Sequence, residues 1–231
     1  MVRHIGILVA ALWVTGAQAQ FSADLRAVSD YEFRGVSLSA RDPALQASID
    51  YTFGDSGFSA GVWASNVDFG ADYDADVEVD YYADYERALN DTVTLYAGIA
   101  LYTYPASDDV DTSPEAYAGF GAGGFELLQW FTDDYSALSQ NALYTEANYT
   151  AAISDSLALV FHAGYSFGDA FEDSELLDYG VQLNYTAGNF VLGAKFVGTD
   201  ASGNLEVSDD VFNNQPRFLV SISTTLPWEA D

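Results

Sequence analysis

Residues 44–53 read Ala44-Leu45-Gln46-Ala47-Ser48-Ile49-Asp50-Tyr51-Thr52-Phe53, and this short stretch decides the fold. Leu45, Ala47, Ile49, Tyr51 and Phe53 take the odd positions, while Gln46, Ser48, Asp50 and Thr52 take the even ones. Successive side chains of an extended chain point to opposite faces, so a period of two puts the apolar groups on one side and the polar groups on the other. A helix would scatter the same residues around its girth. A half-buried strand separates them.

The pattern recurs on either side. Over 76–86, Val77, Val79, Tyr81, Ala83 and Tyr85 oppose Asp76, Glu78, Asp80, Tyr82, Asp84 and Glu86. Over 22–33, Ala23, Leu25, Ala27, Tyr31 and Phe33 oppose Asp24, Arg26, Asp30 and Glu32. Continued along the chain, the alternation predicts strands near 22–33, 44–53, 58–67, 76–86, 92–104, 114–120, 125–132, 143–153, 157–167, 176–186, 190–198 and 216–226, about twelve in all. The gaps alternate in length. Tight turns fall at 54–57, 87–91, 121–124, 154–156 and 187–189; longer acidic loops fall at 34–43, 68–75, 105–113, 133–142, 168–175 and 199–215. Short turns at one end and long loops at the other is the asymmetry of outer-membrane barrels, and an even strand count returns both termini to the periplasmic end. Strands of this length, rising about 3.3 Å per residue and tilted by about 40°, cover the roughly 25 Å apolar band of such barrels. Aromatics near the strand ends (Tyr31, Phe33, Tyr51, Phe53, Phe58, Phe167 and Phe190) suit interfacial girdles. The expected fold is all-β, an up-and-down antiparallel transmembrane β-barrel.

Composition narrows the setting. Arg3, an apolar run over 5–14 and the small-x-small triplet Ala17-Gln18-Ala19 have the layout of a secretory signal peptide. Residues 1–19 are therefore expected to be removed, leaving 20–231 as one outer-membrane barrel domain. Past that point no apolar run approaches the roughly 20 residues of a membrane helix. A chain that spans a bilayer without such a helix must close its sheet, because every backbone N–H and C=O needs a partner within the structure. There is no cysteine, which excludes thiolate metal sites and disulfides. A net charge of -28, from 35 acidic and 7 basic residues, argues against nucleic-acid binding.

Alternation alone leaves open which face points outward. A lipocalin-like soluble barrel would turn its apolar face in and its charges out. The solvent faces of soluble sheets usually carry lysine, and Lys195 is the only lysine of the chain. The polar faces instead mix acids with Gly61, Gly98, Gly164, Gly180, Ser65, Gln182 and Asn184, and with Trp63, Tyr96 and Tyr102. A narrow wet lumen suits that mixture better.

The candidate functional residues are those expected to line such a lumen. Asp24, Arg26, Asp30 and Glu32 come from the first strand, Asp50 from the second, and Glu78, Asp80, Asp84 and Glu86 from the fourth. His162, Lys195 and Arg217 complete the set. Closing the last strand on the first would gather Arg26, Arg34, Lys195 and Arg217 on one wall, with the fourth strand as the facing acidic wall and a transverse field between them. The alternative is that these cations only neutralise Asp24, Asp30 and Glu32. Passive diffusion of small solutes with a cation bias is the expected function. A non-conducting structural or adhesion barrel, with outer acidic loops that bind divalent ions, is the rival.

Other chemistry is poorly supported. The run Asp72, Asp74, Asp76, Glu78 and Asp80 has Val77 and Ala83 where a calcium-binding EF-hand needs glycine and an acid. His162 is the one histidine beyond the leader, and a single imidazole does not build a zinc site. No catalytic residue, metal or cofactor is expected. The expected partners are outer-membrane lipid and lipopolysaccharide outside, and small solutes or ions within.

Five segments carry a resemblance: Gly61-Val62-Trp63-Ala64-Ser65-Asn66-Val67, Glu78-Val79-Asp80-Tyr81-Tyr82, Tyr102-Thr103-Tyr104-Pro105, Asp133-Asp134-Tyr135 and His162-Ala163-Gly164-Tyr165. In this order they resemble the Gcw-type conserved hypothetical proteins of proteobacteria, also labelled TorF-type porins, over roughly 22–226. The resemblance implies an outer-membrane barrel of porin type and brings no catalytic residues with it. Barrels of this kind commonly end on an aromatic residue, whereas here Leu226 is followed by Pro227-Trp228-Glu229-Ala230-Asp231.

Overall fold

A computed structural model describes residues 21–228, apart from 72, 106, 108, 109, 136, 137, 173, 202–204 and 207; the leader expected over 1–19 lies outside them. Twelve strands form the wall: β1 (Phe21–Val28), β4 (Ala44–Thr52), β5 (Phe58–Asn66), β6 (Val77–Ala88), β7 (Val93–Thr103), β8 (Ser113–Ala122), β9 (Phe125–Thr132), β10 (Ala142–Ser154), β11 (Leu157–Phe167), β12 (Leu176–Ala187), β13 (Phe190–Thr199) and β14 (Arg217–Leu226). Each pairs antiparallel with its neighbours in sequence, and β1 pairs with β14 from Ala23↔Leu226 to Val28↔Ser221, so the sheet closes. Two short strands, β2 (Glu32–Phe33) and β3 (Val36–Ser37), form a separate hairpin. No helix among the described residues is long and apolar enough to cross a membrane.

Burial along β4 settles which face is which. Leu45 and Ile49 are 73% and 62% exposed, whereas Ser48 and Asp50 are 8% and 5% exposed. The apolar side of each ribbon faces out and the carboxylate side faces in, the reverse of a soluble barrel. Leu25, Val62, Ile99, Val181 and Ile222 continue the outer apolar surface around the wall. At the short-turn end aromatic rings cluster on that surface: Phe21 with Tyr51 (4.7 Å between centroids), Tyr51 with Phe53 (4.8 Å), Phe58 with Tyr85 (4.6 Å) and Phe190 with Trp228 (5.8 Å). Tyr165–Phe167 and Phe196–Phe218 pair near the long-loop end. Both belts lie where such rings meet a membrane interface.

The inner face is more filled than its small residues suggest. Gly61 stands directly across from Tyr82, and a Cβ at Gly61 would lie 2.5 Å from the tyrosine ring. Gly98 and Tyr117 repeat this arrangement, at 2.3 Å. These glycines give seats to aromatic rings and do not widen the lumen. Tyr31, Trp63, Tyr82, Tyr102, Trp130 and Tyr144 share one buried interior cluster.

The largest departure from the alternation is at the first strand. β1 ends at Val28 and not near residue 33. Beyond it the chain leaves the wall and turns inward, so Tyr31 is buried and the Phe33 ring lies 6.0 Å from that of Tyr102. Neither residue belongs to the outer girdle. Local bonds replace the wall ladder: Tyr31 N–H donates to Ser39 Oγ (2.9 Å) and Leu38 N–H to the Tyr31 carbonyl (2.7 Å). Arg34 and Gly35, with φ of 50° and 86°, make the two-residue turn between β2 and β3. Positive φ at both positions is what a type I′ hairpin requires. A Cβ on Gly35 would also lie 2.4 Å from Thr199 Cγ2, so glycine is needed there twice over.

Candidate functional site

The inward fold of residues 29–43 makes the site. Asp30 accepts from Ser37 Oγ (2.5 Å) and from Arg217 Nε of β14 (2.5 Å). Glu32 is paired with Lys195 of β13 and also accepts the Gly35 N–H at 2.7 Å. Arg34 reaches the far wall. Its Nη1 and Nη2 donate to Glu115 Oε1 (2.9 Å) and Oε2 (2.7 Å) on β8. In the ring of twelve strands β8 lies six places from β14, so the hairpin is tied to both ends of a diameter.

Each tie has a physical signature. Burial alone would raise the Glu32 carboxyl, but the Lys195 charge, its hydrogen bond and the Gly35 N–H hold it down at about 2. Burial alone would lower the Arg34 guanidinium; Glu115 reverses this and pushes it above its ordinary value. A bidentate guanidinium–carboxylate pair combines two charge-assisted hydrogen bonds, each roughly twice as strong as a neutral one. Arg34 Cζ also lies 4.2 Å from the Tyr144 ring centroid, 4.6 Å from that of Phe33 and 5.8 Å from that of Trp130. These distances fall within cation–π range.

The remaining residues expected in the lumen fall into three groups. Arg26 is half-buried and lines an interior cavity with Glu32, Gln46, Glu146, Lys195 and Leu219. Asp24 is half-buried and accepts from Thr225 Oγ1. Asp50 accepts from Tyr82 Oη and from Ser48 Oγ (2.8 Å), and Asp84 accepts from Tyr117 Oη (2.7 Å). Glu78 and Asp80 are 2% and 0% exposed on the same face of β6. His162 is buried with Nε2 at 2.7 Å from Asp178 Oδ1 and Nδ1 at 2.7 Å from Asn148 Oδ1. Glu86 stands apart, exposed near the short-turn end of β6. Asp30 and Glu32 are interior as well, but on the hairpin and not on a wall strand.

Two arrangements differ from the expected lumen. Arg26, Lys195 and Arg217 stand on β1, β13 and β14, and β6 lies three, five and four strands from them around the ring of twelve, so its acids stand to one side of the diameter and not directly opposite the middle of the cationic wall. The strand that faces β14 is β8. The principal partner there, Glu115, and the interior acids Glu126, Glu146 and Asp178 were not singled out by the sequence reading. Their parity within 114–120, 125–132, 143–153 and 176–186 carries that information. The cage of Tyr102, Trp130 and Tyr144 around Arg34 carries no local signal, because it depends on how the hairpin folds back.

The family described as "Bacterial protein of unknown function (Gcw_chp)" matches residues 15–226. The chain belongs to the Gcw_chp family. No curated protein matches this Gcw_chp chain. Among solved structures it is similar to the KdgM porin, with a TM-score of 0.57 at 14% identity over 88% of this chain and 98% of that one. It is likewise similar to the NanC porin, with a TM-score of 0.57 at 11% identity over 90% of this chain and all of that one (100%). At such identities the likeness is one of fold: the Gcw_chp barrel has the architecture of these small porins.

Proposed function

We propose that the protein is an outer-membrane porin through which small solutes diffuse passively, with a preference for cations. One observation carries the preference: among the described residues nine acidic residues are buried in the interior against two basic ones, Arg34 and Lys195, and the buried side chains of Glu32 and Arg217 add one of each sign. Fixed charge of one sign in a narrow lumen raises the local concentration of the opposite ion and sets selectivity. The outer apolar face supports placement in a bilayer, since a charge facing lipid at the midplane costs about 2–4 kcal/mol. The residues proposed to line the path are Asp24, Arg26, Asp50, Glu78, Asp80, Asp84, His162, Lys195 and Arg217, with Asp30 and Glu32 on the hairpin that narrows it and Glu86 at the exit. One structure of KdgM is described as a complex with disordered oligogalacturonate, an acidic sugar chain. The acid-rich interior of this chain suits solutes of the opposite sign. Export through the leader at 1–19 belongs to the same proposal, and mass spectrometry of the native protein should find its N-terminus at Gln20.

Planar bilayers test the reading. Discrete conductance steps are expected, with a reversal potential in a KCl gradient that marks cation preference. Anion preference would remove the proposed bias. The hairpin crossing the interior favours a second reading, a closed barrel of structural or adhesive role, and a silent bilayer would select it.

A further inference from the structure

Four wall residues from four successive strands surround the Arg34 guanidinium: Tyr102 on β7, Glu115 on β8, Trp130 on β9 and Tyr144 on β10. Glu115 supplies a two-oxygen fork, and Tyr102 Oη donates to its Oε2 at 3.0 Å, which helps to hold the carboxylate in place. Trp130 stands directly across the sheet from both Tyr144 and Tyr117, and its ring lies 4.4 Å from that of Tyr117. The receptor is therefore built into the rigid wall. Only the cation and the Phe33 ring come from the hairpin.

A carboxylate fork bordered by aromatic faces is selective for a planar, weakly hydrated cation that hydrogen-bonds in two directions. A metal ion or a simple ammonium matches the charge but not the fork. Releasing Arg34 without a substitute would leave Glu115 buried and uncompensated, which is strongly unfavourable. A free guanidinium compound replaces the lost charge and both hydrogen bonds at once. The hairpin need not leave for this exchange, because Asp30–Arg217 and Glu32–Lys195 hold it to the opposite wall while the Arg34 side chain swings away.

We infer that Glu115, Tyr102, Trp130 and Tyr144 form a binding site for guanidinium-bearing solutes, and that Arg34 is a tethered competitor occupying it in the resting barrel. This deepens the porin reading by naming a solute class, and it rests on that reading for its role in transport. The competitor narrows the path until a solute of like chemistry displaces it. Such a device favours guanidinium compounds over other cations of equal charge.

Calorimetric titration of the detergent-solubilised, folded barrel tests the site, with ethylguanidinium and ethylammonium as probes and heat-modifiable gel migration as the check on folding. Removing the tethered group raises the fraction of competent sites, so Arg34→Ala should bind ethylguanidinium about tenfold or more tighter than the unmodified barrel. It should also prefer ethylguanidinium to ethylammonium, and adding Glu115→Gln should abolish the gain. If Arg34→Ala does not fold, Arg34→Lys retains the charge and loses the fork, and its barrel should still bind ethylguanidinium more tightly than the unmodified one. Equal affinities of the folded variant and the unmodified barrel, or a gain indifferent to Glu115→Gln, would overturn the inference. Planar bilayers separate it from the porin reading. Binding as described in a silent barrel removes transport and keeps the site, whereas conduction with unchanged binding keeps transport and removes the site.

Discussion

Carboxylates inside this barrel are held in two ways. Along the hairpin and its anchors, each acid meets a cation: Asp30 with Arg217, Glu32 with Lys195 and Glu115 with Arg34. Over β4, β6 and β12, acids meet hydroxyls: Asp50 with Tyr82 and Ser48, Asp84 with Tyr117, and Asp178 with Tyr144 at 3.2 Å, beside His162. A guanidinium or ammonium cancels both the hydrogen-bonding demand and the charge. A hydroxyl satisfies the first and leaves the second. The hairpin region is therefore a tied, near-neutral bridge, and the hydroxyl-bearing region is the source of the negative field.

The largest expected effect comes from breaking a cation-held acid. Glu115→Ala leaves Arg34 buried and uncompensated and should cost about 3–5 kcal/mol. The midpoint of urea unfolding from lipid vesicles measures it, and a loss below about 1 kcal/mol would make the two kinds of acid energetically alike.

A smaller loss is expected where a hydroxyl is removed. Tyr82→Phe takes one donor from Asp50 and should cost about 1.5–3 kcal/mol in the same assay. Its ion preference should stay unchanged, since no charge is altered. A shift in reversal potential for this variant would blur the distinction between hydrogen bonding and field.

Asp50→Asn should do the opposite, leaving stability nearly intact while weakening cation preference. One unit charge at about 10 Å in water is worth about 0.4 kcal/mol, so the permeability ratio should fall roughly twofold. An unaltered ratio would separate Asp50 from the conducting path.

Acid should loosen the bridge last. The Glu32 carboxyl sits at about 2, below its ordinary 4.5. A depressed carboxyl stabilises the fold fully above its unfolded value and loses that contribution as pH falls through its folded one. The Glu32–Lys195 tie should therefore persist near neutrality, weaken below about pH 4.5 and be lost towards about pH 2. Open-channel noise recorded over this window should rise only at its acid end. Noise already rising near neutrality would place another group in control.

Much of the wall was legible from period two alone. The alternation over 44–53 and 76–86 matches β4 and β6 within a residue or two, and the five tight turns fall between the strands that pair as hairpins. The same parity, applied to 114–120 or 143–153, points Glu115 and Glu146 inward. It misled only where the pattern outlasted the strand. Tyr31 and Phe33 keep the outward parity of Leu25 and Ala27, yet both lie inside, because Asp30, Ser37 and Ser39 draw the chain into its own hairpin.

The order of residues was sufficient for the ribbon, its two faces, the even number of passes and the acidic character of one face, since each is a property of neighbours a few positions apart. Closure of β1 on β14, the angular placement of the cations relative to β6 and β8, and the seating of Arg34 against a carboxylate 81 residues away belong to tertiary structure. The reason is one of range. Side-chain alternation is set by the backbone of each strand, whereas a contact across the barrel depends on the register and sequence of all the strands between.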